Sequence, residues 1–190
     1  MTEMMIRHER PSDIAAREAL LDLCFGGARS AKASERLREG RLAAEGLSLV
    51  ATERGRLAGT VRLWHVSAGP GQPALLLGPL AVHPDCRSRG IGSALMVRAI
   101  EEARRRGHRT ILLVGDEPYY ARFGFSAAAT GALALPGPFE RHRLLSLSLA
   151  GEAQEAAGLI RATGTPAPRL VEASGDLPVR RRRARLSHAA

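Results

Sequence analysis

The chain has 190 residues, 45% hydrophobic and 25% charged, which excludes a wholly disordered chain and allows one domain with a full core. Of the formal net charge of +9, residues 161–190 carry +5, so the charge of residues 1–160 does not by itself indicate nucleic-acid binding. The two cysteines lack metal-ligand spacing, which predicts a protein of a reducing, cytoplasmic setting without a bound metal. The N-terminus has no basic region followed by an apolar run, and the chain has no run of about 18 apolar residues, so neither an export signal nor a membrane span is expected.

The first quarter of the chain predicts mainly helices. The predicted elements are a strand at residues 5–7, a helix at 14–24 capped by Ser12 or Asp13, a flexible linker at 25–30 and a second amphipathic helix at 33–44. A mobile wall between the two helices is therefore expected.

Two β-rich runs follow, at residues 47–52 and 57–66, and Glu53-Arg54-Gly55-Arg56 joins them as a hairpin whose glycine takes a positive φ. Alternation along the second run puts Val61, Leu63 and His65 on one face, and Thr60, Arg62 and Trp64 on the other. His65 is a candidate base, although a histidine at a strand end is more often structural.

The apolar run at residues 74–82 predicts a buried central strand. Gly78-Pro79 interrupts it, and proline cannot donate to a strand ladder. The conflict predicts a bulge or a local parting of strands at this point.

A basic, glycine-containing turn, Arg87-Ser88-Arg89-Gly90-Ile91-Gly92, separates this strand from an amphipathic helix that ends near Gly107. The first amides of a helix lack partners and lie at the positive end of its dipole, so a phosphate fits where glycines allow close approach. The planar guanidinium group of an arginine can also donate two hydrogen bonds to the oxygens of one phosphate. A P-loop would need a following Lys, and a Rossmann turn would follow its strand more directly, so neither explains the turn.

This turn resembles the Gln/Arg-x-x-Gly-x-Gly/Ala signature of the GNAT superfamily of N-acetyltransferases, and the strand before it and the helix after it match that context. The resemblance implies an α/β (α+β) fold with a mixed, mostly antiparallel central sheet and a V-shaped parallel strand pair flanked by helices. It also implies acetyl-CoA as acyl donor, with the pantetheine arm in the V on backbone groups of residues 80–82. The implied cofactor-binding residues are Leu80, Ala81, Val82, Arg87, Ser88, Arg89, Gly90, Ile91, Gly92 and Ser93.

A second apolar strand at residues 110–114 completes a strand-helix-strand unit, which predicts a parallel pair with a right-handed crossover. The family carries a tyrosine four residues before the glycine of a Gly-Phe pair, and Tyr120 stands at that spacing from Gly124. The resemblance implies that Tyr120 protonates the coenzyme A thiolate as it leaves. Tyr119 is the other candidate for this proton donor. The alternative is that both tyrosine rings only pack against neighbouring residues, with their hydroxyls hydrogen-bonded.

A general base is not evident, because many family members carry a carboxylate on the strand before the turn and residues 74–82 hold none. The nearby candidates are His65, His83, Asp116 and Glu117, and a water chain is the alternative. Cys86 lies beside the turn, but no motif supplies a group to activate it, so an acyl-enzyme is not expected.

The chain closes with a lead-in at residues 132–139, a last strand at 141–149 and a short helix at 151–162. We expect one GNAT domain over residues 1–162. Prolines and a run of four arginines at 180–183 predict a basic, disordered tail over residues 163–190. The tail could contact nucleic acid, but solvated charge is commoner.

The predicted reaction is direct acetyl transfer from acetyl-CoA to a primary amine in a ternary complex, by positioning of both reactants. The alternatives are a non-catalytic acyl-CoA-binding regulatory module and a protein that binds nucleic acid through its tail. The acceptor, a small molecule or a peptide, is not identified by the sequence, although the resemblance places residues 25–35 at its pocket. A membrane partner is not expected, and a homodimer is left open.

Overall fold

A computed structural model describes residues 4–27, 32–151 and 156–168. The strands are β1 (Met4–His8), β2 (Ser48–Glu53), β3 (Arg56–Ala68), β4 (Pro73–Val82), β5 (Thr110–Val114), β6 (Leu133–Ala134), β7 (Leu144–Ser148) and β8 (Gly158–Ala162). The helices are α1 (Ile14–Phe25), α2 (Ile91–Arg105) and the single turn α3 (Glu117–Tyr120). The main sheet has the order β1-β2-β3-β4-β5-β7, with β8 on β3 and β6 on β8.

The sheet is mixed, as predicted. Its pairs are antiparallel except β4 with β5 and β6 with β8, which are parallel. The helix α2 forms the crossover between β4 and β5, because two parallel strands cannot be joined by a tight turn. The open mixed sheet with a parallel central pair and flanking helices confirms the fold class.

The parallel pair β4 and β5 separates after two residue pairs, Leu75 with Ile111 and Leu76 with Leu112. Beyond Leu76, β4 runs through the cis peptide Gly78-Pro79, and its register against β3 shifts between Val61 and Leu63. The predicted bulge and the predicted parting of strands therefore both occur. Trp64 fixes the backbone here, since its indole Nε1–H donates to the Gly78 carbonyl at 2.6 Å.

The core lies on both faces of the sheet. Val61 and Leu63 pack with the apolar face of α2, whereas Trp64 and Val66 pack in a second cluster on the opposite face, as the alternation predicted. The buried apolar residues of α2 recur every three or four positions: Ile91, Leu95, Met96, Ala99, Ile100 and Ala103. Glu102 of the same helix is also buried, at 1% exposed, and pairs with Arg98 at 2.8 Å.

Two predicted helices are wrong. Residues 33–44 form only a 3₁₀ turn, Glu35–Leu37, followed by turns, because the backbone reverses at Gly40 with φ of +64° and Arg41 then bridges Pro166. Residues 158–162 form β8 rather than a helix, because the end of β3 offers free ladder positions at Val66, Ser67 and Ala68. Such long-range pairing outweighs local propensity.

The ordered chain continues past residue 162. The Leu42 amide donates to the Thr165 carbonyl and the Ala167 amide to the Gly40 carbonyl, both at 2.8 Å, so residues 163–168 pack against the segment after the 3₁₀ turn. The arginine run at 180–183 lies outside the described residues, as do residues 28–30 of the predicted linker. The disordered tail thus stays a prediction.

Candidate active site

The turn before α2 presents an open set of backbone amides. A 3₁₀ turn, Pro84–Cys86, follows β4, after which Ser88 and Gly90 take left-handed φ values of 61° and 80°. Within the described ranges, the amides of Ser88, Arg89 and Gly90 donate to no protein acceptor. The first-turn amides of Ile91, Gly92 and Ser93 lie at the same helix end, where an anion is favoured. We call residues 87–93 the cradle.

The two cradle arginines differ. Arg87 is exposed and, in the part of the chain that the structure describes, forms no ion pair. The Arg89 guanidinium instead forks onto Glu53 of β2, with Nη1 at 2.8 Å from Oε2 and Nη2 in contact with Oε1. Arg89 therefore contributes only its backbone amide to the cradle, because its side chain is paired with the β2–β3 hairpin.

The backbone of β4 presents alternate residues to the gap between β4 and β5. The His83 amide donates to the Ala58 carbonyl of β3 at 2.8 Å, so the backbone N–H and C=O of His83 point towards β3. Because this direction alternates along a strand, the backbone groups of Ala81, two residues earlier, point towards β3 as well. Those of Leu80 and Val82 point away from β3. The resemblance implies that Ala81 also binds the cofactor, but the backbone groups of Ala81 are directed at the ladder with Thr60. The Val82 carbonyl accepts the Cys24 thiol of α1 at 3.4 Å.

A cleft of about 860 Å³ opens where β4 and β5 part. Its floor is formed by β4 and β5, and its walls by α1, residues 32–38 and residues 135–143. The apolar lining includes Leu21, Phe25, Trp64, Leu77, Leu80, Leu113, Leu135 and Phe139. The charged lining consists of Glu18, Lys32, Glu35, Arg38, Arg62, Asp116, Glu140 and Arg143. The cleft thus combines a large apolar surface with both signs of charge.

Tyr120 lines this cleft, on the short helix that follows β5. Its ring lies over Gly115, where an added Cβ would be 2.2 Å from Cε2, so the absence of a side chain at 115 makes room for the phenol. Burial, followed by the fields of Tyr119 and Asp116, raises the pKa of Tyr120 to about 12. The phenol therefore remains a proton donor across the physiological pH range.

Tyr119 has a different environment and does not line the cleft. Its hydroxyl lies 2.9 Å from the position of a Cβ on Gly92, at the first turn of α2, and the Arg122 guanidinium stacks 4.1 Å from its ring centroid. The neighbouring rings meet edge to face at 4.8 Å. The structure therefore separates the two tyrosines into one beside the cradle and one at the cleft.

Of the four candidate bases, only Asp116 lines the cleft. His65 lies against His108 with ring centroids 5.5 Å apart, and His83 Nδ1 accepts from the Asp85 amide. Glu117 accepts from the Ala127 amide at 3.2 Å. These three side chains have structural contacts away from the cleft.

Three cleft carboxylates were not predicted from the sequence: Glu18 of α1, Glu35 of the 3₁₀ turn and Glu140 before β7. They come from segments far apart in the chain, so no local spacing identifies them. Cys86 is held by Glu53, whose Oε2 accepts its thiol at 3.6 Å. Burial and that carboxylate raise the pKa of Cys86, which agrees with the expectation that it is not a nucleophile.

Among residues 4–27, 32–151 and 156–168, no three His, Cys, Asp or Glu side chains are arranged to hold a metal ion. No helix in these ranges has the length and apolarity needed to cross a bilayer.

The chain thus has a glycine turn at the start of α2, a V between two parallel strands and a tyrosine beyond the second strand, the three features on which its resemblance to the GNAT family depends. Residues 15–125 match the model of the Acetyltransferase (GNAT) family, so the chain belongs to this family. The resemblance predicted from residues 87–92 is confirmed.

Relatives of known sequence and structure also support membership of the GNAT family. The chain is 32% identical over 155 residues to the uncharacterised N-acetyltransferase YhbS of Escherichia coli K12, covering 78% of this chain and 92% of that protein. A crystal structure of YhbS from Escherichia coli in complex with CoA superposes with a TM-score of 0.72 at 29% identity, over 85% of this chain and 91% of that one. The structure of a GNAT family acetyltransferase from Brucella melitensis in complex with acetyl-CoA superposes with a TM-score of 0.60 at 28% identity, over 81% of this chain and 93% of that one.

Proposed function

We propose that this protein transfers an acetyl group from acetyl-CoA directly to a primary amine held in the cleft. The observation that carries the proposal is the arrangement of the site. The cradle, whose Ser88, Arg89 and Gly90 amides have no acceptor among the described residues, follows β4; the backbone of Leu80 and Val82 faces away from β3; and Leu80 and Tyr120 both line the cleft where β4 and β5 part. Two related structures, of YhbS with CoA and of the Brucella melitensis protein with acetyl-CoA, support the choice of donor.

The residues fit the donor group by group. The cradle amides and the guanidinium of Arg87, which forms no ion pair with any described residue, supply donors for the pyrophosphate. The polar groups of Leu80 and Val82 supply strand-like partners for the pantetheine amides. Since the Val82 carbonyl now accepts the Cys24 thiol, the arm would replace that weak bond.

The chemistry then needs one nucleophile and one acid. The neutral amine attacks the thioester carbonyl carbon, a C–N bond forms, and the C–S bond breaks when the tetrahedral intermediate collapses. Tyr120 gives its phenolic proton to the leaving thiolate and regains a proton from solvent. The proton lost by the amine passes to Asp116, the candidate base that lines the cleft, and from there to water.

The experiment that tests the function combines thiol release with product mass. Purified protein and acetyl-CoA are incubated with a panel of small amines, amino acids and peptides, and free thiol and acetylated acceptor are measured together. We expect equal amounts of thiol and of acceptor heavier by one acetyl group, and no acetylated protein. Tight coenzyme A binding with no acetylated acceptor would favour the regulatory module instead.

The pH profile is a second expected result. With a saturating donor and a subsaturating acceptor, the rate should rise from about pH 7 to about pH 10 as the acceptor ammonium loses its proton. Because the pKa of Tyr120 is raised to about 12, its acid form persists through that range and the rate should not fall again. A bell-shaped profile with a descending limb in this range would contradict the role of Tyr120 as proton donor.

A further inference from the structure

The cations that line the cleft differ in how fully they are paired. Arg62 forks onto the buried Glu9, with Nε at 2.9 Å and Nη2 at 2.8 Å, which are distances of charge-assisted hydrogen bonds. Arg38 donates to the carbonyl and hydroxyl of Ser34 and pairs with Glu35. These two guanidinium groups therefore serve mainly to hold the walls of the cleft.

Arg143 is different. Its Nη2 is 3.3 Å from Asp116 Oδ1 and its Nη1 is 3.9 Å from Glu140 Oε2, both longer than a charge-assisted hydrogen bond. Its Nε is buried and has no hydrogen-bond partner among the described residues. Nε has no accessible surface in the open cleft, whereas the side chain as a whole is 37% exposed, so an anion bound in the cleft pairs with the Nη atoms.

The backbone places Arg143 beside the reacting end of the cleft. The Arg143 carbonyl accepts the Gly115 amide at 2.9 Å, and Gly115 is the residue over which the Tyr120 ring lies. Arg143 also acts on Tyr120 through space, because its charge opposes the rise in the pKa of the phenol. The guanidinium and the phenol thus belong to one small region of the cleft.

Resting on the proposed function, we infer that the acceptor is an α-amino acid with an apolar side chain and that Arg143 binds its carboxylate. One carbon separates amine from carboxylate in such a molecule, so an amine at the thioester beside Tyr120 keeps its carboxylate near Arg143. The side chain would pack on the apolar walls formed by Leu21, Phe25, Leu135 and Phe139. Glu140 is 63% exposed, so it can turn to water when the carboxylate binds, while Asp116 stays at the cleft as the acceptor of the amine proton.

The test compares three acceptors that share one side chain. L-leucine carries the carboxylate, L-leucinamide replaces it with a neutral amide, and isoamylamine lacks it. kcat/KM for acetylation and binding to the protein–CoA complex by calorimetry are measured for wild type, Arg143→Gln and Arg143→Lys. Arg104→Gln removes an exposed arginine of α2 outside the cleft and controls for net charge.

Wild type should prefer leucine over isoamylamine on the order of 10- to 100-fold, as expected for a hydrogen-bonded charge. Arg143→Gln should remove that preference by weakening leucine alone. Arg143→Lys should keep part of it, and Arg104→Gln all of it. Retained selectivity in Arg143→Gln, or none in wild type, would overturn the inference.

The inference and the proposed function can fail separately. Acetylation of all three amines with equal kcat/KM would leave the acetyltransferase and remove the carboxylate site. Arg143-dependent binding of leucine without acetylation of any amine would leave the carboxylate site and remove the enzyme.

Discussion

Replacing Gly90 with valine is expected to reduce the affinity for coenzyme A at least about 100-fold, the effect of losing roughly two charge-assisted hydrogen bonds. Gly90 has a φ of +80°, which β-branched residues rarely adopt, and it sits at the N-cap of α2 among the cradle amides. A valine there either reshapes the turn or covers the amides. Isothermal titration calorimetry with coenzyme A measures the loss.

Gly107→Val is the matched control. Gly107 lies beyond the other end of α2 with a φ of +78°, and like Gly90 it has no atom within 4 Å of an added Cβ. The two variants therefore carry similar backbone strain on the same helix, and only one of them alters the cradle. Normal coenzyme A affinity in a folded Gly90→Val variant would show that the cradle is not the phosphate site.

The Tyr120→Phe variant should lower kcat about 100-fold or more while the dissociation constant for coenzyme A changes little, because general acid catalysis contributes about 10²–10⁴-fold. The phenyl ring still fits over Gly115, so only the proton donor is removed. Steady-state thiol release gives kcat, and calorimetry gives the dissociation constant.

Tyr119→Phe provides the comparison, since it removes a hydroxyl one residue away that lies beside Gly92 rather than in the cleft. We expect its kcat to stay within a few-fold of wild type. Equal loss in the two variants, or an unchanged rate in Tyr120→Phe, would remove Tyr120 from its role.

The sequence predicts the parts of this site that depend on neighbouring residues. The order strand, glycine turn, amphipathic helix is local, and Gly78-Pro79 conflicts with a regular strand in a way that any sheet must resolve. Those patterns were sufficient for the cradle, for α2 and for the parting of β4 from β5. The family resemblance added the tyrosine position.

The remaining features depend on contacts between distant segments. The Arg89 side chain pairs with Glu53 of the hairpin, residues 158–162 pair with β3, and Arg143, just before β7, lies 3.3 Å from Asp116, just after β5. Amphipathic spacing at residues 33–44 suggested a helix, but the segment instead turns to meet residues 163–168. Periodicity carries no information on such partners, so the acceptor side of the cleft could not be read from it.

A crystal structure of this protein with coenzyme A tests the central claim most directly. We predict the pyrophosphate on the amides of residues 88–93, the pantetheine arm along Leu80 and Val82, and the sulfur within hydrogen-bonding distance of the Tyr120 hydroxyl. Phosphates bound away from the cradle, or a sulfur that lies outside the gap between β4 and β5, would contradict it.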